Sequence, residues 1–286
     1  MEKKKNYLPF LAQVMPVSIS MILFVTIPLI FIIIVSFMTR GTFGGIVYEP
    51  SLESYASLRD PVYWNVIMKS FRVATMTTFL CLILGYPFAY FIARKPPEIA
   101  SKLILLLMIP FWTNGMIRLN SLMLFFQTNG PVNHVLVNVL NVVDEPVMFL
   151  YTDWLVNLGL FTSMLPFAVL PIYSSIEKLE GSLLEASHDL GANPVTTFFK
   201  VTLPLTIPGI ISAIILTFIP SLGIYTVTDM LGGGKVMYIG NIIKDQFGSI
   251  RNWPLGAALS VLLMVITALI LFIYSRFAKV EDMEVL

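Results

Sequence analysis

The sequence predicts an all-α, polytopic membrane protein with six transmembrane helices in a single domain, 1–286. Two observations lead there. Of 286 residues, 57% are hydrophobic and 12% charged, against about 25% charged in a soluble domain. The charges are also bunched: residues 6–39, 73–93, 154–176, 201–228 and 252–275 hold no Asp, Glu, Lys or Arg, and 103–143 holds only Arg118. A helix crosses a bilayer with roughly 20 apolar residues, and in lipid its backbone polar groups must be satisfied internally. Spans are therefore placed near 14–38, 67–93, 103–127, 151–175, 203–226 and 253–276.

The net charge of +1 leaves no nucleic-acid footprint. The one cysteine, Cys81, falls inside the second span and reads as a packing residue. Lys3, Lys4 and Lys5 precede an apolar run, as in a signal peptide, but the run is too long and no clean small-x-small cleavage site follows. An uncleaved first span starting inside the cell is expected. Lysine and arginine then favour the inner segments, with Lys3–Lys5 and the Arg94, Lys95, Lys102 cluster weighing most. Six spans put both termini in the cytoplasm.

Along the chain, residues 39–66 carry Gly41, Gly44, Gly45, Pro50 and Pro61 and read as a turn-rich loop with one short helix from Ser51. Span two contains Gly85-Tyr86-Pro87, where proline frees a carbonyl and kinks the axis; the kink shapes a pathway or only packing. In span three, Arg118 is expected to pair with an acid or to snorkel outward. Residues 132–143 alternate at helical spacing, with a Val/Leu stripe opposite Asn133, Asn138 and Asn141, which suits a short helix on the membrane surface. His134 and His188 are isolated, so no metal site is expected. No Ser/His/Asp set or paired carboxylates lie in the apolar tracts, so no catalytic residues are assigned and no cofactor is expected. In Gly232-Gly233-Gly234-Lys235 the first glycine and the closing Ser/Thr of a phosphate loop are misplaced and no strand precedes it, so it reads as a flexible outer loop.

Between spans four and five, residues 177–202 stand out. Good helix formers run from Ser182 to Leu190, Gly191 is placed to end the helix in the left-handed region, and Asn193-Pro194 turns the chain into a second short helix to Lys200. Pro204 then opens the next span. The product is two short helices with a sharp turn, a compact knob lying along the membrane; on spacing alone an ordinary hairpin loop also fits. The spacing from Glu185-Ala186 to Gly191 and then to Val201-Thr202-Leu203-Pro204 resembles the EAA loop of ABC importer permeases. Longer strings resemble the spermidine/putrescine group of those permeases: Gly85 to Ala89, Pro110 to Asn114, Tyr173 to Leu179, Asp189 to Ala192 and Gly240 to Lys244. Ser187 stands where the third position of the pattern is alanine, and Val201 where it is isoleucine.

The resemblance implies a MetI-like permease fold in a bacterial cytoplasmic membrane, with Glu185, Ala186, Asp189, Gly191 and Pro204 forming the surface that docks on an ATPase. It also implies the partners: an ATPase dimer, a related sister permease, an external polyamine-binding protein seated on 39–66, 128–150 and 226–252, and membrane lipid. A path for polyamines needs carbonyl or acidic oxygens for ammonium groups and aromatic faces for cation–π attraction. Asp229 just past span five and Tyr225 at its end, with Trp112 and Asn114 in span three, are the candidates. On residues alone Asp229 is equally a turn cap, and Trp112 and Asn114 read slightly better as an interface aromatic and an interhelical hydrogen bond. A secondary transporter is the competing class, but that class places several charges in mid-span, which are nearly absent here. Another cargo, such as an inorganic anion, stays open; Asp229 argues against it.

Overall fold

The computed structural model describes residues 8–281. Lys3, Lys4 and Lys5, on which the inward placement of the first span leaned, lie outside them. In chain order the elements are α1 (Leu8–Met21), a π turn (Ile22–Thr26), α2 (Ile27–Ser36), β1 (Met38–Arg40), β2 (Ile46–Pro50), α3 (Glu53–Ser57), α4 (Pro61–Ala93), α5 (Pro97–Met108) and α6 (Gly115–Phe126). Next come α7 (Pro131–His134), α8 (Asp153–Glu177), α9 (Gly181–Asp189), α10 (Pro194–Thr197), α11 (Leu203–Leu205), α12 (Ile207–Gly223), α13 (Tyr225–Gly232), α14 (Ile239–Phe247) and α15 (Trp253–Glu281).

Four helices among the described residues are long and apolar enough to cross a membrane: Val14–Ser36, Pro61–Ala93, Asp153–Glu177 and Trp253–Tyr274. Two bent pairs, Pro97–Phe111 with Gly115–Val139 and Pro194–Leu205 with Ile207–Gly223, bring the count to six if each is one span. The third span therefore is not the single rod expected over 103–127. It breaks by 83°, because Pro110 ends one segment in a 3-10 turn and Asn114, extended at ψ 132°, caps the next by accepting from Met116 N at 2.8 Å. The fifth begins at Ile207 after a 64° bend, so Pro204 closes the loop helix instead of opening the span. By contrast α4 runs unbroken through Pro87.

Contacts group the chain into two compact units, 1–64 with 242–286, and 65–241. In the first, α2 packs on α15, and β1 pairs antiparallel with β2. The turn-rich loop thus contains a hairpin that composition did not reveal. Its Gly44 and Gly45 hold φ of 89° and 83°, and Gly45 N donates to the Arg251 carbonyl at 2.8 Å. In the second unit α8 is central. Ala168, Val169 and Ile172 are fully buried against Cys81, Ala89 and Ile92 of α4 and Ala213 of α12. Small residues allow the close approach that drives helix association where lipid removes the hydrophobic drive.

The 132–143 segment is a short helix with a π turn, Pro131–Val139, with Val135, Val139, Leu140 and Val142 exposed. Asn133 is not on its polar outside: it is 2% exposed, donates to the Gln127 and Val147 carbonyls and accepts from Val147 N at 2.8 Å. An amide with four hydrogen-bonding positions is worth burying when they are met.

Candidate functional site

The 177–202 segment folds as the two-helix knob. At the end of α9, Gly191 N donates to the His188 carbonyl at 2.8 Å and Ala192 N to the Ser187 carbonyl at 3.1 Å. With Gly191 at φ 81°, this is the paired closure that satisfies a helix's last carbonyls. Asn193 then caps α10, its side chain accepting from Thr196 N at 2.8 Å. The Ser187 hydroxyl bonds that of Thr197 at 2.6 Å, buried between the helices. Serine in place of alanine therefore adds a polar tie across the knob. Glu185, Ala186 and Asp189 are exposed, as is Leu190 at 89%, so the predicted docking residues of α9 face outward together. A cavity of about 620 Å³ opens where α8, α9 and α12 meet, lined by Ser174, Ser175, Lys178, Glu180 and Ser212 among others.

Behind the knob sits an elbow that sequence reasoning missed. Thr206, fully buried at the bend before α12, bonds the Tyr86 hydroxyl of α4 at 2.8 Å and donates to the Thr202 carbonyl at 2.9 Å. Phe198 packs edge-on to both Tyr86 and Tyr90. The Gly85-Tyr86-Pro87 string therefore anchors the knob's second helix to α4. Thr206 has one proton, committed to a carbonyl, so Tyr86 is the donor to it. Thr206→Val then strands the Tyr86 hydroxyl, at a cost of about 1–3 kcal/mol, whereas Tyr86→Phe leaves Thr206 bonded and costs about 1 kcal/mol. The expected result, read from melting midpoints and ATP-driven uptake, is that Thr206→Val is worse and the double variant loses less than the sum. Strictly additive losses would remove the pair.

Asp229 lies half-buried in α13, its Oδ1 accepting from Asn241 Nδ2 at 2.9 Å. Asn241, 3% exposed, accepts through Oδ1 from Thr228 at 2.8 Å and from Tyr238 N at 3.1 Å. Gly240 beside it has no room for a side chain: a Cβ there would stand 2.6 Å from the Gly223 carbonyl oxygen. Tyr225 starts α13 and is 46% exposed. Trp112, 74% exposed, and Asn114, the α6 cap, mark the elbow of span three. Asn114 thus holds a helix end in place of the interhelical bond. Among the described residues Arg118 meets no acid. It donates to the Pro110 carbonyl at 3.3 Å and to Ser163 at 3.5 Å, and stacks over Phe111 at 4.6 Å.

Residues 6–280 match the family described as the binding-protein-dependent transport system inner membrane component. The chain belongs to that family. This inner membrane component is 43% identical over 265 residues to the spermidine/putrescine transport system permease protein PotB of Escherichia coli (strain K12), covering 93% of this chain and 96% of the relative. It is also 43% identical to PotB of Salmonella typhimurium (strain SL1344), covering 93% and 92%, and 40% to that of Haemophilus influenzae, again 93% and 92%. Among solved structures it resembles a bacterial ABC transporter involved in import of the acidic polysaccharide alginate, at TM-score 0.79 and 14% identity over 96% of both chains. The inward-facing MetNI methionine transporter follows at TM-score 0.57 and 20% identity, over 77% of this chain and 97% of that one. At such identities the likeness is one of fold.

Of the inner membrane component's polar groups, the missed ones share a signal: Asn133, Thr206 and Asn241 are hydrogen-bonding side chains that the structure buries. Such groups are expensive in an apolar surrounding unless paired, and each has found a partner.

Proposed function

We propose that this chain is one of two permease subunits of an ATP-driven importer for spermidine and putrescine. The observation that carries the cargo is the 43% identity over nearly the whole length of a spermidine/putrescine permease. The importer mechanism is supported by the exposed α9–α10 knob tied to α4 through Tyr86 and Thr206. In this reading a separate ATPase dimer grips Glu185, Ala186, Asp189 and Leu190. Its closure moves the knob, the Tyr86–Thr206 elbow carries that motion to α4 and α12, and the spans alternate between outward- and inward-open states with a sister permease. A polyamine-binding protein delivers cargo to 39–66, 128–150 and 226–252. The chain crosses the membrane as one permease domain with both termini and 177–200 in the cytoplasm.

The test is uptake of radiolabelled spermidine by vesicles holding the whole complex, with an inorganic anion as the competing cargo. Saturable spermidine uptake that requires ATP is expected; uptake of the anion alone would transfer the chain to another cargo. Orientation is checked by an impermeant thiol reagent on Ser182→Cys and Thr42→Cys after Cys81 is replaced, both positions being exposed. Position 42 should label from outside and 182 should not. The role of Asp229 separates from its structural bonds by Asp229→Asn, which can still accept from Asn241 while losing the charge. Charge-assisted hydrogen bonds are about twice as strong as neutral ones, so a several-fold drop in uptake at limiting spermidine with normal assembly is expected. Wild-type uptake would make Asp229 a bracing residue of α13.

A further inference from the structure

We infer that the groove between α4 and the start of α8 holds one anionic phospholipid, its phosphate against Lys69 and Arg72 and an acyl chain along the apolar faces below. Two adjoining cavities, of about 240 and 330 Å³, share Met76 and Asn157. The first is lined by Lys69, Arg72, Asp153 and Tyr238; the second by Leu80, Leu84, Trp154 and Phe161 among others. The change from charged to apolar comes where the sequence changes. Arg72 is the last charge before 73–93, and Asp153 the last before 154–176. The first cavity therefore lies at the membrane boundary, and the second within the hydrocarbon.

Charge decides the ligand. Asp153 is the only carboxylate lining the first cavity, and its Oδ1 already accepts from the Tyr238 hydroxyl at 2.6 Å and meets Lys69 Nζ at 3.2 Å. Burial, then the bond to Asp153 and its charge, push the Tyr238 phenol well above its ordinary value, so it remains a donor. Lys69 and Arg72 leave one positive charge in excess, and Arg72 is exposed. An ammonium cargo is repelled there, while a phosphate bridging the two cations is attracted, as basic residues at a membrane surface attract anionic headgroups. Below, Arg72 to Leu84 covers twelve residues of helix, about 18 Å at 1.5 Å per residue. That matches one leaflet of a hydrocarbon core about 30 Å thick. Trp154, 53% exposed and next to Asp153 in the chain, marks the end of the second cavity that adjoins the charged one, where an interfacial aromatic suits.

The experiment is native mass spectrometry of the assembled importer released from detergent, titrated separately with phosphatidylglycerol, phosphatidylethanolamine and inorganic phosphate. The wild type should retain phosphatidylglycerol in preference to phosphatidylethanolamine. Lys69→Gln/Arg72→Gln should lower that occupancy at least tenfold, Arg72→Lys should keep it, and Leu84→Trp, which fills the apolar end, should lower it with both cations present. Equal binding of the two lipids, or unchanged binding in the double glutamine variant, overturns the assignment. So does displacement of the lipid by millimolar inorganic phosphate, which would make this a free-anion site, or a cross-link from position 84 to another subunit instead of lipid. The readout is lipid retention, so failure of the polyamine assignment would leave it untouched.

Discussion

Gly191→Val should abolish uptake while the protein still inserts in the membrane. The residue holds φ 81° and a Cβ there would meet nothing within 4 Å. The penalty is therefore backbone strain alone: about 1–2 kcal/mol for an ordinary residue in the left-handed region, and more for a β-branched one. The chain relieves that strain by giving up the closure onto the Ser187 and His188 carbonyls. The angle between α9 and α10 changes with it, and the buried Ser187–Thr197 bond is lost. Glu185, Ala186 and Leu190 then no longer present one surface. Gly191→Asn is the control, since asparagine tolerates the left-handed region, and it should retain most of the uptake. Glu185→Lys, on the exposed face, should also stop uptake, by charge reversal without distortion. Uptake, and ATPase recovered with the purified permease, are the measurements. Normal values for both Gly191→Val and Glu185→Lys would falsify the docking role.

Gly209→Val should remove the protein from the membrane altogether, or leave it melting far below wild type. At this position α12 presses on α8: a Cβ on Gly209 would overlap Ser175 Cβ and come within 2.8 Å of the Pro171 carbonyl oxygen. A backbone oxygen cannot swing away as a side chain can, so the helices must separate. Overpacking of this kind costs about 1–3 kcal/mol and occasionally more. Gly209→Ala should be milder, and adding Ser175→Gly should recover part of its loss, because one of the two clashes is then gone. Melting midpoint and the amount of folded protein per cell are the readouts. Wild-type accumulation and melting of Gly209→Val would show that α8 and α12 do not meet as described.

Much of the site was legible because it is local. A left-handed glycine, an asparagine cap and a proline start are decided within four or five residues, so the α9–α10 knob followed from Glu185 to Lys200 alone. The hairpin at Met38–Pro50 was not legible, since its strands are only three and five residues long and the glycines between them, Gly41, Gly44 and Gly45, dominate the local composition. The elbow was half legible. Gly85-Tyr86-Pro87 stood out, but a tyrosine in an apolar tract does not announce a partner 120 residues away.

The sequence by itself determined that this chain lives in a membrane and roughly where it crosses. Those depend on transfer of whole tracts from water to lipid, an energy that adds up residue by residue along the chain. Only the tertiary structure decided which polar groups inside those tracts are satisfied. Thr206 meets Tyr86 and Thr217 meets Thr78, whereas the Nε of Arg118 is buried without a hydrogen-bond partner among the described residues. It also decided that spans three and five bend, at Asn114 and Thr206. A polar group in lipid costs several kcal/mol unless paired, and its partner comes from another helix, whose position no local pattern encodes.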